Sequence, residues 1–138
     1  RDLHSFPTRR SSDLVPKALP ALLRALRVGE KASRVGFDWP DLGGARDKLA
    51  EELSELDVAI ASGDRGRTEA ELGDVLFALV SVARKLDVDP EAALRGTLDR
   101  FGERVSRVED MAQSNGTPLS ELAEQQLSEL WERAKAQE

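Results

Sequence analysis

Four carboxylates in two short runs are the residues of this sequence best suited to chemistry. Glu52 and Glu55 are three positions apart, and so are Glu71 and Asp74. Residues three apart on a helix lie on neighbouring turns of one face. Two such pairs on packed helices would surround one space, where like charges are costly without a cation. The spacing therefore predicts a Mg²⁺ site, with Mn²⁺ as an alternative ion, that could orient phosphates and activate water.

The first pair is predicted to lie on a helix from about Ala45 to Ala61. Apolar residues recur there at i, i+4, i+7 and i+11, the period of one helix face. They are Leu49, Leu53, Leu56 and Ile60. Glu52 falls beside this stripe, so it does not lie on the fully solvated face. Acidic residues on helices are usually solvated, and a charged surface remains the alternative interpretation.

The second pair is predicted to lie on a helix that starts at Thr68 and runs to about Leu86. Thr68-x-x-Glu71 fits a capping box. The segment Val75–Val80 is apolar throughout, and a helix that is apolar on all sides is expected to be buried. Glu71 and Asp74 stand where this run begins, so they are expected to be partly buried. Ser62–Gly66 is interpreted as the turn between the two helices.

The remaining sequence also has helical patterns. A first helix is predicted from Pro20 to Val35, followed by an aromatic loop that Gly43-Gly44 closes. Asp89-Pro90-Glu91 begins a fourth helix towards Gln113, and Thr117-Pro118 begins the last one. Short loops join these helices. The expected fold is all-α, a helical bundle of about five helices.

Composition limits the classes of function. The chain has 138 residues, no cysteine and a net charge of −6. The charge makes nucleic acid an improbable partner, and no apolar run is long enough to span a bilayer. The lack of cysteine removes disulfides and thiol chemistry and favours a cytoplasmic protein.

The segment 1–14 reads RDLHSFPTRRSSDL and resembles the translation of a sequencing-library adapter. A disordered Ser/Arg-rich tail is the alternative, and either interpretation leaves residues 15–138 as the expected domain. The only histidine, His4, lies in this leader. Chemistry in the domain must therefore use carboxylates, Lys, Arg, hydroxyls and metal.

Several known phosphate or metal sites have no counterpart here. The sequence has no Gly-x-x-x-x-Gly-Lys-Ser/Thr loop, no Glu-x-x-His pair for a di-iron bundle and no EF-hand loop. The Arg-Glu-x-x-Glu-Glu-x-Gly core of Nudix hydrolases is also absent.

Glu51-Glu52-x-x-Glu55, followed after fifteen residues by Glu71-x-x-Asp74, resembles the paired-helix motif of all-α NTP pyrophosphohydrolases. Further stretches are similar to MazG proteins, and together they cover nearly all of Val15–Glu138. They are Leu19–Ala25, Ala32–Trp39, Glu71–Ala78 and Trp131-x-x-x-Lys135. The Gly36–Trp39 stretch is most similar to the second of two domains in longer MazG proteins, which implies that a first domain lay upstream.

The resemblance implies a Mg²⁺-dependent hydrolase with a MazG-like four-helix core, which cleaves an NTP between its α and β phosphates into NMP and pyrophosphate. Glu52, Glu55, Glu71 and Asp74 match the metal ligands. Glu51, the first motif acid, would assist the attacking water together with Glu52. The family also implies a homodimer or larger assembly, which agrees with the apolar runs that one chain must leave uncovered.

The resemblance extends to nucleotide contacts. The expected substrate-binding residues are Arg100, Arg104, Trp131 and Lys135, with Trp39 and Lys48 as weaker candidates. From the residues alone, Arg100 could equally be a surface charge and Trp131 a core residue. Two further functions remain open: a dUTP- or phosphoribosyl-ATP-type pyrophosphohydrolase, and a non-catalytic helical module that oligomerises or regulates a longer MazG protein.

Overall fold

A computed structural model describes residues 15–138, so the predicted leader Arg1–Leu14 lies outside the described residues. The described chain is helical and without strands, which confirms the expected all-α class. The elements are α1 (Ala21–Arg34), α2 (Leu42–Ser62), α3 (Arg65–Lys85), α4 (Pro90–Ser114), a 3₁₀ turn (Leu119–Glu121) and α5 (Glu124–Ala136). They form two compact units, one ending at Glu91 and one beginning at Ala92. No helix between residues 15 and 138 has the length and apolar character needed to cross a membrane.

Helices α2 and α3 form a tight antiparallel hairpin. Gly63 ends α2 in the left-handed region at φ 73°, where glycine has no Cβ to clash. Its N–H donates to the carbonyl oxygen of Ile60 at 3.1 Å. Asp64 then caps α3 by accepting a hydrogen bond from the Arg67 N–H. Only two residues therefore connect the helices that carry the predicted carboxylates.

Two of the predicted helix starts in the first unit were wrong. Helix α3 begins at Arg65 and not at Thr68, whose hydroxyl donates to the Asp64 carbonyl oxygen at 2.9 Å inside the helix. Gly66, which was assigned to a turn, is therefore helical. Helix α2 begins at Leu42, because the Asp41 carboxylate accepts a hydrogen bond from the Gly44 N–H at 2.8 Å. In both cases an aspartate caps the helix, because its carboxylate accepts a hydrogen bond from the backbone N–H three residues later.

The apolar stripes are less buried than their sequence patterns predict. On α2 the small residues Ala45 and Ala59 are buried, whereas Leu53 and Ile60 are about half exposed. On α3 the run Val75–Val80 is not buried on all sides as expected. Its exposed members are Leu76, Phe77 and Leu79, and its buried members are Val75, Ala78 and Val80. One chain therefore covers only one side of the hairpin.

The loop after α1 is fixed to the end of α3 by one carboxylate. Asp38 accepts hydrogen bonds from both terminal nitrogens of Arg84, at 2.6 and 3.1 Å, and from Lys85 Nζ at 2.8 Å. The Ser33 hydroxyl donates to the same carboxylate at 2.9 Å. Arg84 holds the pKa of Asp38 far below its usual range, despite the opposing effect of burial. The loop is therefore anchored by a charged network across 46 positions of sequence.

The second unit packs α4 against α5 and the 3₁₀ turn. Its buried core consists of Val108, Ala112, Leu130 and Ala134. The last helix does not begin at Thr117-Pro118 as predicted: the 3₁₀ turn comes first, and α5 starts at Glu124. The side chain of Gln126 accepts a hydrogen bond from the Ala123 N–H at 3.0 Å and so supports this later start.

Candidate functional site

Three predicted carboxylates converge where α2 faces α3. Oxygen atoms of Glu52, Glu71 and Asp74 all lie within 4.8 Å of one another, close enough to share one metal ion. Glu52 comes from the face of α2 that packs on α3, and its side chain is only 12 % exposed. Glu71 is partly buried and Asp74 is exposed. The group is therefore open to solvent on one side, as a site for a metal-bound substrate needs.

Mutual repulsion is evident at Glu71. Burial raises the pKa of this carboxyl, and the negative charges of Glu55, Asp74 and Glu52 raise it further. Glu55 is exposed and stands outside the converging group of three, but its charge acts on Glu71 more strongly than that of Asp74. All four predicted acids therefore contribute to one negative site, and a divalent cation fits that donor set.

Glu52, Glu55, Glu71 and Asp74 are together called the acidic cluster. Lys48 lies beside it. Its Nζ is 2.8 Å from Glu52 Oε1 and 3.5 Å from Glu51 Oε1. The hydrogen bond to Glu52 raises the pKa of Lys48. Lys48 and Glu52 are four positions apart on α2, so their ion pair could have been predicted from the sequence. Glu51 has a side chain that is 61 % exposed and lies outside the group of three.

In the second unit, Arg104 stands at the centre of a small charged and aromatic cluster. Its guanidinium lies 4.9 Å from the centroid of the Trp131 ring, and the Phe101 ring is 5.5 Å from the same ring. Arg104 also donates two hydrogen bonds to the Glu138 carboxylate, at 2.6 and 2.8 Å. Trp131 is thus held by its neighbours, and Arg104 is paired with an acid.

The other two predicted nucleotide contacts in this unit have weak local partners. Arg100 is exposed and donates to the Thr97 hydroxyl at 3.1 Å, one turn away on α4. Lys135 is 4.0 Å from Glu132, and both side chains are largely exposed. Neither cation is committed to a buried partner, so either side chain can reach solvent.

Trp39, the remaining candidate, lines a cavity in the first unit together with Phe77, Ser81 and Arg84. These last three residues were not predicted from the sequence as functional residues. Phe77 could have been noticed as the aromatic one turn after Asp74. The pairing of Arg84 with Asp38 has no local signal, because the partners are 46 positions apart.

The sequence has clear relatives. A family model described as the MazG nucleotide pyrophosphohydrolase domain matches residues 45–108. The chain is 45 % identical over 117 residues to the nucleoside triphosphate pyrophosphohydrolase/pyrophosphatase MazG of Thermotoga maritima, covering 85 % of this chain and 45 % of the relative. It is 36 % identical over 128 residues to the nucleoside triphosphate pyrophosphohydrolase of Escherichia coli, covering 91 % of this chain and 49 % of the relative.

A third relative, the uncharacterized protein YabN of Bacillus subtilis, is 40 % identical over 127 residues, covering 91 % of this chain and 26 % of that protein. The chain thus spans about half of the two named enzymes or less. The matched segment 45–108 contains the whole acidic cluster and the predicted nucleotide contacts Arg100 and Arg104. The resemblance seen in the sequence is confirmed: residues 45–108 match the MazG nucleotide pyrophosphohydrolase domain, and 85 % or more of the chain is similar to the two named enzymes.

Proposed function

We propose that this protein hydrolyses nucleoside triphosphates to a nucleoside monophosphate and pyrophosphate in a Mg²⁺-dependent reaction. The observation that carries the proposal is the convergence of Glu52, Glu71 and Asp74 within the segment that matches the family. The printed names of the Thermotoga and Escherichia relatives support the same activity. Because the chain corresponds to only part of those proteins, the activity of the isolated chain has to be tested directly.

The proposed metal ligands are Glu52, Glu55, Glu71 and Asp74. A divalent ion bound there supplies charge neutralisation for the phosphates and activation of water. Glu51, next to Glu52 and exposed to solvent, is the proposed acceptor of a proton from the attacking water, together with Glu52. Lys48 balances the charge of Glu52 and is a further candidate for a phosphate contact.

The proposed phosphate contacts in the second unit are Arg100 and Arg104, which lie one turn apart on α4. Arg104 is held at a fixed position by Trp131 and Glu138. A triphosphate would have to compete with Glu138 for this guanidinium, since both are anions that arginine binds in a bidentate manner. Trp131 and Lys135 are the other proposed nucleotide contacts of this unit.

Pyrophosphate release from a panel of NTPs and dNTPs, with Mg²⁺ and with EDTA, tests the function. We expect Mg²⁺-dependent release of pyrophosphate with NMP as the second product, and stimulation by Mn²⁺ in place of Mg²⁺. Orthophosphate and NDP as products would show that another bond is cleaved. Turnover confined to dUTP or phosphoribosyl-ATP would favour those relatives of the superfamily. A folded protein without turnover would favour a non-catalytic helical module.

We also propose that a second copy of the chain covers the exposed side of the α2–α3 hairpin. Leu53, Leu76 and Leu79 are each about half exposed there, which is unusual for so many large apolar residues on neighbouring helices. Light scattering at micromolar concentration should give the mass of a homodimer or a larger assembly, and a monomer would contradict the proposal. Cytoplasmic location, expected from the cysteine-free sequence, stays a prediction.

A further inference from the structure

Helix α4 carries three arginines along one side of the second unit. Arg100, Arg104 and Arg107 are four and three positions apart, so their side chains leave the helix on successive turns of the same side. Like charges at this spacing repel one another. An anion placed among the three guanidinium groups therefore stabilises them, whether it comes from a substrate or from the protein itself.

The protein supplies such an anion, the carboxylate of Glu138, which follows α5. Its Oε1 accepts a hydrogen bond from Arg104 Nε at 2.6 Å, and its Oε2 accepts one from a terminal nitrogen of the same guanidinium at 2.8 Å. Oε1 also accepts a hydrogen bond from Arg107 at 3.5 Å. One carboxylate thus bridges two of the three arginines.

Glu138 is subject to all three positive charges. The hydrogen bond from Arg104 lowers the pKa of Glu138 against the opposing effect of burial, and the charges of Arg104, Arg107 and Arg100 lower it further. The side chain is therefore ionised at neutral pH. The carboxylate lies where the positive fields of the three arginines overlap, which is also where an added anion would be attracted most strongly.

The edge of Arg104 that Glu138 occupies is well suited to phosphate. Two parallel N–H donors of a guanidinium match two oxygens of a carboxylate or of a phosphate group equally. A phosphate that binds this edge must displace Glu138. A phosphate that binds the remaining donors would lie beside the carboxylate and be repelled by it. Arg104 can therefore hold Glu138 or a phosphate, but not both favourably.

From this geometry we infer that Glu138 is an internal competitor of the triphosphate, and that Arg107 is a further phosphate contact that becomes available when Glu138 leaves. The inference rests on the proposed function, because that function makes Arg100 and Arg104 contacts of the substrate's phosphates. Nucleotide binding is then the exchange of one anion for another. A triphosphate succeeds in this exchange because it brings several negative charges, whereas Glu138 brings one.

The exchange has a measurable cost in affinity. A ligand that binds only molecules in which Arg104 is free has its apparent affinity reduced by the fraction of such molecules. Side chains of Arg104 and Glu138 are 18 % and 30 % exposed, so their pairing is weak enough to be displaced. Removal of the carboxylate should tighten the binding of polyphosphates about 3- to 10-fold. If Glu138 only positioned Arg104, its removal would weaken binding instead.

Calorimetry with inorganic tripolyphosphate and Mg²⁺ measures the exchange without turnover. We expect Glu138→Gln to bind the probe about 3- to 10-fold more tightly than the wild type. Glu129→Gln is the matched control, because it removes the same charge from an exposed position of α5 that is hydrogen-bonded to Gln125. The control should bind the probe like the wild type. An equal gain in both variants would reflect net charge alone and would overturn the inference.

Arg107→Gln tests the second part of the inference. In the Glu138→Gln background it should weaken tripolyphosphate binding about 3- to 10-fold, because one charged contact is lost. In the presence of Glu138 the loss should be smaller, since the substitution weakens the competitor as well. No loss in either background would show that Arg107 does not contact phosphate. Equal losses would show that Arg107 does not hold Glu138, and either result overturns this part.

Binding and turnover fail independently in this design. Tighter tripolyphosphate binding by Glu138→Gln supports the internal competitor even if no NTP is hydrolysed, in which case only the proposed function fails. Hydrolysis of NTPs by the wild type, with unchanged or weaker tripolyphosphate binding in Glu138→Gln, leaves the function intact and overturns the inference. In an active enzyme, Glu138→Gln should also lower KM for NTPs to an extent similar to the gain in tripolyphosphate affinity.

Discussion

Glu71→Gln is expected to raise the thermal stability of the metal-free protein and, at the same time, to lower NTP hydrolysis at least about 100-fold. The stability gain follows because burial, and then the charges of Glu55, Asp74 and Glu52, oppose ionisation of Glu71 and raise its pKa. The loss of activity follows because a neutral amide weakens both metal binding and charge compensation for the phosphates. Thermal melts in EDTA and steady-state pyrophosphate release measure the two effects.

The pH dependence of this effect has a definite sign. The pKa of Glu71 is raised in the folded state, so the protonated form is favoured by folding. Its stabilising contribution is present below the ordinary glutamate pKa and is lost as pH rises through the raised value. The melting temperature of Glu71→Gln should therefore exceed that of the wild type by a margin that grows with pH.

The control for this variant is Glu69→Gln, which removes an exposed acid of α3 outside the cluster. It should change neither activity nor the response to metal. Added Mg²⁺ should stabilise the wild type and Glu69→Gln but not Glu71→Gln, because only a bound ligand raises apparent stability. Equal stabilisation of all three proteins by Mg²⁺ would mean that the ion binds elsewhere.

Asp38→Ala is expected to lower the free energy of unfolding by about 2–4 kcal/mol, because it leaves two cations without their partner. Asp38 is 18 % exposed, and its partners Arg84 and Lys85 are 14 % and 17 % exposed, so solvent compensates little. Urea denaturation measures the change. Glu103→Ala, which removes an exposed ion pair at 4.0 Å, should cost less than about 1 kcal/mol.

Acid should reduce the difference between Asp38→Ala and the wild type. The pKa of Asp38 is lowered in the folded state, so its contribution is complete at neutral pH. It is lost as pH falls below the ordinary aspartate pKa of about 3.9 towards the lowered value. A difference in stability that is the same at pH 3 and pH 7 would show that the loss comes from packing and not from charge.

Local patterns were enough to predict the helices and the acidic residues but not all of their contacts. Helical periodicity and three-residue spacing depend only on neighbours in sequence. The convergence of Glu52, Glu71 and Asp74 could therefore be predicted from the sequence. The start of α3 was missed because Gly66 indicated a turn, whereas Asp64 caps the helix and continues it through the glycine. A favourable cap outweighed a poor helix former.

Contacts between distant segments could not be predicted in this way. Nothing in the sequence near Asp38 indicates that Arg84 will approach it, and the cavity lined by Trp39 and Phe77 depends on that approach. The apolar run Val75–Val80 predicted burial correctly for Val75 and Val80 but not for Leu76 and Leu79. Hydrophobicity predicts that a surface will be buried. It does not predict whether residues of the same chain or of another chain bury it.

The two-residue connection between α2 and α3 has a consequence for how the protein folds. The converging carboxylates all lie within the segment 52–74, so the acidic cluster needs only contacts that are close in sequence. Loops this short close fast, and helical hairpins have low contact order. We expect the hairpin to form early in folding, with the cluster assembled before the loop at Asp38 docks. The acidic cluster would then form earlier in folding than the cavity lined by Trp39 and Phe77.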